Sequence, residues 1–412
     1  MSGTVIVGAG HAGVQAAVSL RQAGYQEPVR LVSEEDRPPY HRPPLSKSML
    51  AGEKQPEQIA LRGPDFLERN DIELLSGVRA VALDPASRTL RLKNGNLAYD
   101  KAVIATGAGA RTLAGFQYDN VFLLRNMQDA LALKNALAPG AKLVIVGGGF
   151  IGLEVAATAR KLGLSVDVIE AQERLLKRAA PPLLSDYIHR RHAAEGVRLH
   201  VGAQIERVIA EAGRIVSVEL SNSKTLAADL VLVGIGNQPE IGLGAEAGAK
   251  TDLGGLLVDP ALRTALPDVY AIGDCAAFYL PAAGCRVRLE SVQNAVDQGK
   301  AVAGQIAGQV DGAYDAVPWF WSDQFDMRLQ MTGLSRPGSA FMIRGDVESN
   351  SFSLLETLDD RLVAVYSVNT AADHMASRRL VGQPSRFNKA AASDASVPLK
   401  ACLAVPTGRC SG

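Results

Sequence analysis

The chain has 412 residues, of which 47% are hydrophobic, enough for about two or three domains with buried cores. Its 43 Lys and Arg residues balance its 43 Asp and Glu residues, so no bulk charge favours nucleic acid or a membrane surface. No apolar run approaches the roughly 20 residues of a membrane span. The first strand is predicted from residue 4, which leaves no room for a signal peptide, so we expect a cytoplasmic protein.

The first predicted strand ends in a glycine-rich turn. Residues 4–7 form a short β-branched run, and Gly8, Gly10 and Gly13 follow in the spacing Gly-x-Gly-x-x-Gly before a helical pattern. Such a strand, turn and helix can bind a dinucleotide, because glycine lets the backbone approach the diphosphate and the helix N-terminus offers N–H groups to it. The next strand delivers Glu34, 21 residues after Gly13, where a carboxylate can bind ribose hydroxyls.

A proline-rich segment follows over residues 36–47. Its prolines exclude a helix and are expected to keep the chain extended as far as Leu45. Such a crossing can hold Arg42 and Lys47 over a ligand at the first glycine turn, or it can be a surface loop with solvated cations. Beyond a predicted helix, strand and β-meander, a buried strand ends at Thr106, which we expect to close the first nucleotide-binding half.

A second glycine turn repeats the first. A hydrophobic strand over residues 142–146 leads into Gly147, Gly149 and Gly152, and a helix follows. Glu170 stands at the end of the next strand, 18 residues after Gly152. A carboxylate there accepts hydrogen bonds from ribose hydroxyls and repels a 2′-phosphate, which favours NADH over NADPH. Two such turns, each followed by an acid, are far more specific than one.

Two further acidic residues each have two interpretations. Glu154 lies in the first turn of the helix after the second glycine turn, where its charge can offset the helix dipole, an interaction of ~0.3–1 kcal/mol, or where it can hold a nicotinamide amide. Asp274 follows a hydrophobic strand that ends in Gly273. Its carboxylate can meet ribityl or pyrophosphate oxygens at the carboxyl end of that strand, or it can be an ordinary turn aspartate.

The order of these motifs predicts three domains. The strands after the second glycine turn close near Gly236, after which the first nucleotide-binding domain resumes, and short alternating strands beyond residue 317 predict an antiparallel sheet. We therefore predict an α/β protein with two Rossmann-like dinucleotide-binding domains, the second inserted in the first, and a C-terminal α+β domain. The predicted domains are residues 1–109 with 237–316, residues 110–236, and residues 317–412.

Together these motifs resemble the two-dinucleotide-binding-domain flavoproteins of the glutathione-reductase-like superfamily. The segments Arg-Pro-Pro-Leu-Ser-Lys47, Ala-Ile-Gly-Asp274, Trp-Ser-Asp-Gln324 and Val-Pro-Leu-Lys400 narrow the resemblance to the NADH-dependent ferredoxin reductases of bacterial oxygenase systems, of the putidaredoxin-reductase and biphenyl-dioxygenase-reductase types. The resemblance spans essentially the whole chain. It implies that the first glycine turn holds FAD and that the second holds NADH.

The resemblance also implies roles for individual residues. The residues matched to FAD binding are Gly8, Gly10, Gly13, Glu34, Arg42, Lys47, Thr106, Arg125, Asp274, Val292 and Trp321. The residues matched to NADH binding are Gly147, Gly149, Gly152, Glu154, Glu170, Gly236 and Glu290. Among these, Lys47, Glu154 and Trp321 are the expected catalytic residues. The charge of Lys47 would stabilise the reduced flavin. No metal site is expected. By the resemblance, His41 stands at a position where the family often has Asp or Met.

The cysteines discriminate within this superfamily. The chain has four, Cys275, Cys285, Cys402 and Cys410, which form no Cys-x-x-Cys pair. Their spacing argues against a disulfide framework or a zinc site and favours structural or surface thiols. The superfamily's disulfide reductases need a reactive cysteine pair, but no cysteine precedes residue 275 here. Electrons are therefore expected to leave the flavin directly.

The implied function is that of an NADH:ferredoxin oxidoreductase. Its partner would be a two-iron two-sulfur ferredoxin that supplies a cytochrome monooxygenase or a ring-hydroxylating dioxygenase. Lys300, Arg378 and Lys400 stand out by resemblance as a docking patch, and the chain is expected to be a monomer or a weak dimer. The alternatives are a rubredoxin or monodehydroascorbate reductase, or an NADH-sensing interaction protein that resembles apoptosis-inducing factor.

Overall fold

The computed structural model of the chain describes residues 2–309 and 313–403. The described residues form two compact units. The first takes those within Met1–Arg111, Arg125–Met127 and Gly236–Ala316, and the second takes those within Thr112–Leu124, Gln128–Ile235 and Val317–Gly412. The second unit thus combines the segment predicted to bind NADH with the C-terminal segment, and the division into three domains stays a prediction.

The helices and strands are numbered in chain order. The α-helices are α1 (His11–Gln22), α2 (Pro64–Arg69), α3 (Met127–Ala136), α4 (Phe150–Lys161), α5 (Pro182–Ala194), α6 (Gly242–Glu246), α7 (Val292–Ile306), α8 (Ala371–Leu380) and α9 (Lys389–Ser393). The first strands are β1 (Thr4–Val7), β2 (Val29–Val32), β3 (Ile72–Leu75), β4 (Ala80–Asp84), β5 (Thr89–Leu92), β6 (Gly95–Ala98), β7 (Lys101–Ile104), β8 (Ala108–Ala110) and β9 (Val121–Phe122). Those that follow are β10 (Lys142–Val146), β11 (Ser165–Glu170), β12 (Arg198–Val201), β13 (Ile205–Glu211), β14 (Arg214–Leu220), β15 (Thr225–Ala227), β16 (Leu230–Val233), β17 (Asn237–Pro239) and β18 (Thr251–Asp252). The last are β19 (Gly255–Leu257), β20 (Val269–Ala271), β21 (Ala276–Leu280), β22 (Cys285–Val287), β23 (Trp319–Gln324), β24 (Met327–Gly333), β25 (Ala340–Asp346), β26 (Ser351–Leu358) and β27 (Arg361–Val368).

The first unit is organised by a parallel sheet of order β20-β7-β1-β2-β3. β1 lies at its centre and is fully buried, which its β-branched sequence favours. Strands β2 and β7 pair with opposite edges of β1. The connections to them therefore run to opposite sides, and a crevice opens at the carboxyl end of β1, which is where α/β sheets bind ligands. Helix α7 packs closely on α1, since Gly299 has no Cβ to meet the carbonyl oxygen of Ala12.

The second unit contains a parallel sheet of the same design and an antiparallel sheet. The parallel sheet has the order β12-β11-β10-β16-β9, with the buried strand β10 at its centre. The antiparallel sheet has the order β23-β24-β27-β26-β25. One face of it packs on α4 and α5 through Leu153, Tyr187 and Leu354, and the other packs on α8 and the following segment through Leu355 and Leu399.

The predicted fold class is confirmed. Both parallel sheets carry the predicted strand, glycine turn and helix, and strands β10 to β16 stand between two parts of the first unit in chain order. The antiparallel sheet after residue 317 is also as predicted.

The proline-rich segment differs from its prediction. It does not stay extended to Leu45, because Pro43–Ser46 forms one turn of 3-10 helix. Proline lacks only a donor that the first turn of a helix leaves unpaired, and its fixed φ suits that position. The sequence prediction treated the prolines as a block, although a proline at the start of a helical turn is compatible with that turn.

The segment after α8 contains a short helix and is held by a buried arginine. Helix α9 begins after Asn388, whose side chain accepts a hydrogen bond from the Ala391 backbone N–H at 3.1 Å. The buried Arg344 of β25 also holds this segment. Its guanidinium pairs with Asp373 of α8 at 2.9 Å. The same guanidinium donates hydrogen bonds to the carbonyl oxygens of Ala392, Asp394, Ala395 and Val397.

Three of the cysteines, Cys275, Cys285 and Cys402, are free thiols, and Cys410 lies outside the described residues. Throughout residues 2–309 and 313–403, no helix is long and apolar enough to cross a membrane. The same part of the chain contains no group of three or more His, Cys, Asp or Glu side chains that could hold a metal ion.

Candidate functional site

The first glycine turn connects β1 to α1 with a different task for each glycine. Gly8 has a φ of +112°, and a Cβ there would overlap the carbonyl oxygen of Ala105. A Cβ at Gly13 would overlap the carbonyl oxygen of Gly8, so the helix can pack on its own strand only without a side chain. Gly10 is the N-cap of α1 and has open space around the Cβ position and no side-chain cap. The first N–H groups of α1 therefore face a space that a diphosphate fits.

The second glycine turn, between β10 and α4, repeats this geometry. Gly147 has a φ of +114° and abuts the carbonyl oxygen of Gly234, and a Cβ at Gly152 would overlap the carbonyl oxygen of Gly147. Gly149 is the N-cap of α4, with open space at its Cβ position and no side-chain cap. Each unit therefore holds one dinucleotide-type turn.

Cationic side chains stand in the same unit as the first turn. The Arg42 guanidinium donates hydrogen bonds to the Arg125 carbonyl oxygen at 2.6 Å and to the Glu35 carboxylate at 3.0 Å. Arg125 in turn donates to the Ala108 carbonyl oxygen at 2.5 Å and pairs with Asp274 at 3.0 Å. The structure thus connects Arg42, Arg125 and Asp274, which the sequence placed together only by resemblance. Two arginines and an uncapped helix suit a diphosphate.

The carboxylate of Asp274 is 15% exposed. Burial raises the pKa of Asp274 above its ordinary value, and the Arg125 guanidinium opposes that rise. Asp274 is therefore more than a solvated turn residue.

Two adjacent glutamates follow β2, and their side chains have different partners. Glu34 pairs with Arg79 at 2.6 Å, and both side chains are more than half exposed. Glu35 instead accepts a hydrogen bond from the Tyr40 hydroxyl at 2.6 Å as well as from Arg42. The structure thus brings Glu35 and Tyr40 into the arginine network and leaves Glu34 outside it. A spacing rule accurate to about one residue could not separate two adjacent glutamates.

Glu170 is held at the end of β11. Its carboxylate accepts hydrogen bonds from the backbone N–H groups of Gly148 and Gln172, both at 2.8 Å. The bond to Gly148 places this carboxylate beside the second glycine turn, as the prediction of a ribose-binding acid requires.

Glu290 lies among polar partners in the first unit. Burial acts to raise its pKa, but hydrogen bonds from Asn237 at 2.9 Å and Arg288 at 2.6 Å lower the pKa of Glu290 below its ordinary value overall. Arg288 also donates to the carbonyl oxygen of Asp274 at 3.2 Å. Gly236, just before Asn237, has a φ of +104°, which favours glycine. Sequence reasoning missed Asn237 and Arg288, because neither belongs to a spacing motif.

Three other predicted residues of the first unit have defined positions. Lys47 follows the 3-10 turn, and its ammonium group donates to the Pro43 carbonyl oxygen at 3.3 Å. The Thr106 hydroxyl donates to the Glu240 carbonyl oxygen at 2.5 Å. Val292 is the first residue of α7.

Glu154 and Trp321 lie in the second unit, on neighbouring elements. Glu154 is buried in α4 and accepts a hydrogen bond from the Ser322 hydroxyl on β23 at 2.7 Å. Because side chains alternate along a strand, Trp321 lies on the other face of β23. Its ring is 5.7 Å from the ring of Trp319, and the Arg378 guanidinium lies 4.6 Å from the centre of the Trp319 ring.

Residues 3–299 match the sequence profile of the pyridine nucleotide-disulphide oxidoreductases, and residues 319–403 match that of the reductase C-terminal domain. The chain belongs to the pyridine nucleotide-disulphide oxidoreductase family. It is 43% identical to the 5,5'-dehydrodivanillate O-demethylase ferredoxin reductase subunit of a Sphingobium species, over 96% of this chain and 97% of that protein. It is 40% identical to rhodocoxin reductase of Rhodococcus erythropolis, over 97% of this chain and 94% of that protein.

A solved structure gives the same result. The crystal structure of a covalent putidaredoxin reductase–putidaredoxin complex has a reductase chain similar to this one, with a TM-score of 0.93, 35% identity and 97% of each chain covered. The resemblance to ferredoxin reductases of oxygenase systems is therefore confirmed. The roles of the individual site residues within the family stay predictions.

The different tasks of the glycines can be separated by alanine substitution. Gly149→Ala places a methyl group in open space, so the free energy of unfolding should change by less than about 0.5 kcal/mol. The same methyl group should obstruct NADH and weaken its binding roughly tenfold, because a clash of about 1–3 kcal/mol is typical of overpacking. Gly152→Ala should instead lower the free energy of unfolding by about 1–3 kcal/mol. Urea denaturation and NADH titration of both variants provide the measurement, and Gly149→Ala binding NADH like the wild type would contradict the assignment.

Proposed function

We propose that this chain is an FAD-dependent NADH:ferredoxin oxidoreductase whose partner is a two-iron two-sulfur ferredoxin of a monooxygenase or ring-hydroxylating dioxygenase system. The observation that carries the proposal is the pair of open glycine turns in a chain without any cysteine before Cys275. Such a chain can hold two dinucleotides, and its three cysteines within residues 2–309 and 313–403 are free thiols. The near full-length similarity to two ferredoxin reductases supports the choice of acceptor. A cytoplasmic location is part of the proposal.

The residues of this chain would bind and orient the two cofactors. The uncapped N–H groups after Gly10, with Arg42 and Arg125, would hold the FAD diphosphate, and the Asp274 carboxylate would accept hydrogen bonds from its hydroxyl groups. FAD bound there would supply hydride acceptance from NADH and single-electron release, which is chemistry that no protein side chain supplies. Lys47 and Trp321 would lie beside the flavin, and Glu154 beside the nicotinamide.

Turnover with defined acceptors tests the proposed function. The purified protein should be yellow and release FAD on denaturation, and with NADH it should reduce at least one two-iron two-sulfur ferredoxin in a purified panel. Rubredoxin and monodehydroascorbate serve as competing acceptors in the same assay. Release of FMN would contradict the assignment of the first turn. Flavin reduction by NADH without turnover on any ferredoxin would favour an NADH-sensing interaction protein.

Specificity for NADH should depend on Glu170. Its carboxylate is fixed by two backbone N–H groups, so a 2′-phosphate at this position would meet a negative charge that cannot turn away. Replacing Glu170→Gln together with Ala171→Arg should move the relative kcat/KM toward NADPH by ~2–3 kcal/mol, because a repulsion is removed and a charge-assisted bond is added. Steady-state kinetics with both nucleotides measure this change. A wild-type enzyme with equal kcat/KM for NADPH and NADH would contradict the role proposed for Glu170.

Ferredoxin docking is proposed to involve Lys300, Arg378 and Lys400. Lys400 is exposed in the turn Leu399–Ala401, and Lys300 pairs with Asp297 at 3.6 Å. Arg378 is exposed on α8 and fixed over Trp319, so it loses little side-chain entropy when it meets a partner. Since the chain has no net charge, an acidic ferredoxin can be steered only by a local group of cations.

The triple alanine variant of these cations should have a raised KM for ferredoxin and a weaker dependence of KM on ionic strength. Reduction of the flavin by NADH should be unchanged in stopped-flow measurements. The matched control removes three other exposed cations, Arg91, Lys93 and Lys224, and should behave like the wild type. Equal ferredoxin kinetics at low salt in the triple variant and the control would show that docking occurs elsewhere.

A further inference from the structure

Two histidines are in contact at the start of helix α1. His11 is the first residue of the helix, directly after Gly10. Its Nε2 lies 3.3 Å from the Nδ1 of His41, and the two ring centres are 5.3 Å apart. His41 belongs to the proline-rich segment, next to Arg42. The pair therefore touches both sides of the proposed diphosphate site, the helix N-terminus and the arginine network.

Neither imidazole is expected to carry a charge at neutral pH in the chain without cofactor. Burial, together with the neighbouring His41, Arg42 and Arg125, lowers the pKa of His11 to about 3. His41 is more exposed, and its pKa is lowered by partial burial and then by Arg62 and Lys54. The carboxylates of Glu35 and Asp274 are paired with the neighbouring Arg42 and Arg125. The charges that face the histidine pair are thus cationic.

A bound diphosphate would reverse the electrostatic balance around the pair. It brings negative charge to the start of α1, and an anion close to an imidazole favours the protonated form. His41 is the ring that can respond, because it is partly open to solvent whereas His11 is buried. Once His41 carries a proton on both nitrogens, its Nδ1–H must donate to Nε2 of His11. His11 then carries its own proton on Nδ1 and becomes a hydrogen-bond donor at the helix N-terminus.

We propose that His41 takes up one proton when FAD binds, so that the His41–His11 pair contributes a positive charge and a fixed donor to the diphosphate site. The inference rests on the proposed use of FAD and adds two binding residues to that site. One proton is gained from solvent on binding and returned on release, and no bond of the cofactor changes.

The proposal predicts the sign of a pH dependence. If the pKa of His41 is higher in the FAD complex than in the free chain, the affinity for FAD is constant above the higher value. It increases as the pH falls between the two values, and it levels off below the lower one. The diphosphate diester of FAD does not titrate near neutral pH, so a change in affinity there reports on the protein.

The test is a fluorescence titration of the full-length apoprotein with FAD, at constant ionic strength in buffers without phosphate. For the wild type, the Kd should fall roughly three- to tenfold between about pH 8 and about pH 6, since one-proton linkage allows at most tenfold per pH unit. The variant His41→Asn retains a hydrogen-bonding side chain but cannot titrate. Its Kd should vary less than about twofold over the same range and should match the wild type at about pH 8. His189→Asn, in the second unit, is the matched control and should keep the wild-type dependence.

Two further ligands show which part of the cofactor causes the pH dependence of the Kd. ADP-ribose contains the diphosphate without the flavin and should compete with the same pH dependence as FAD. Riboflavin contains the flavin without the diphosphate and should bind with no pH dependence from this source. A flat wild-type Kd, a full dependence in His41→Asn, or an equal dependence for riboflavin would each overturn the inference. Tight, pH-independent binding of FAD would overturn this inference alone, whereas no binding at any pH would overturn the proposed function as well.

Discussion

Close contact between a helix and its own strand is the constraint on which the rest of the structure depends. In both units the last glycine of the turn touches the carbonyl oxygen of the first, and neither contact tolerates a Cβ. The contact places the start of the helix at the carboxyl end of the central strand, with its N–H groups uncapped. The network of Arg42 and Arg125 belongs to one unit and the fixed carboxylate of Glu170 to the other, and the binding roles proposed for them require that helix end to be open.

The parts of the fold that follow from local rules could be predicted from the sequence. Glycine spacing after a β-branched strand is such a rule, and it located both turns. The roles taken by Tyr40 and Arg288 could not be predicted in this way, because their partners are distant in sequence or depend on which of two adjacent residues turns inward. The different partners of Glu34 and Glu35 are an example, since only the structure shows that Glu35 accepts a hydrogen bond from Tyr40.

The structure adds a third role for Glu154 to the two that the sequence allowed. The sequence allowed a role at the helix dipole or a role at the nicotinamide. In the structure the Ser322 hydroxyl on β23 binds this carboxylate inside the second unit, so Glu154 also connects α4 to the antiparallel sheet. That contact crosses from one predicted domain to another, and a sequence motif contains no information about it. Trp321 is the neighbour of Ser322, and the position of its strand is therefore coupled to a residue of the glycine-turn helix.

The buried guanidinium of Arg344 ties the position of the C-terminal segment to distant parts of the chain. It holds one carbonyl oxygen of α9, three carbonyl oxygens of the segment after α9 and the carboxylate of Asp373 in α8, and none of these partners is close to it in sequence. The segment and the guanidinium depend on each other, since an unpaired buried charge is costly. Lys400 lies just beyond that segment. The position of a cation proposed to meet the partner protein thus depends on a buried ion pair between β25 and α8, so a substitution inside the antiparallel sheet can alter the docking surface without touching it.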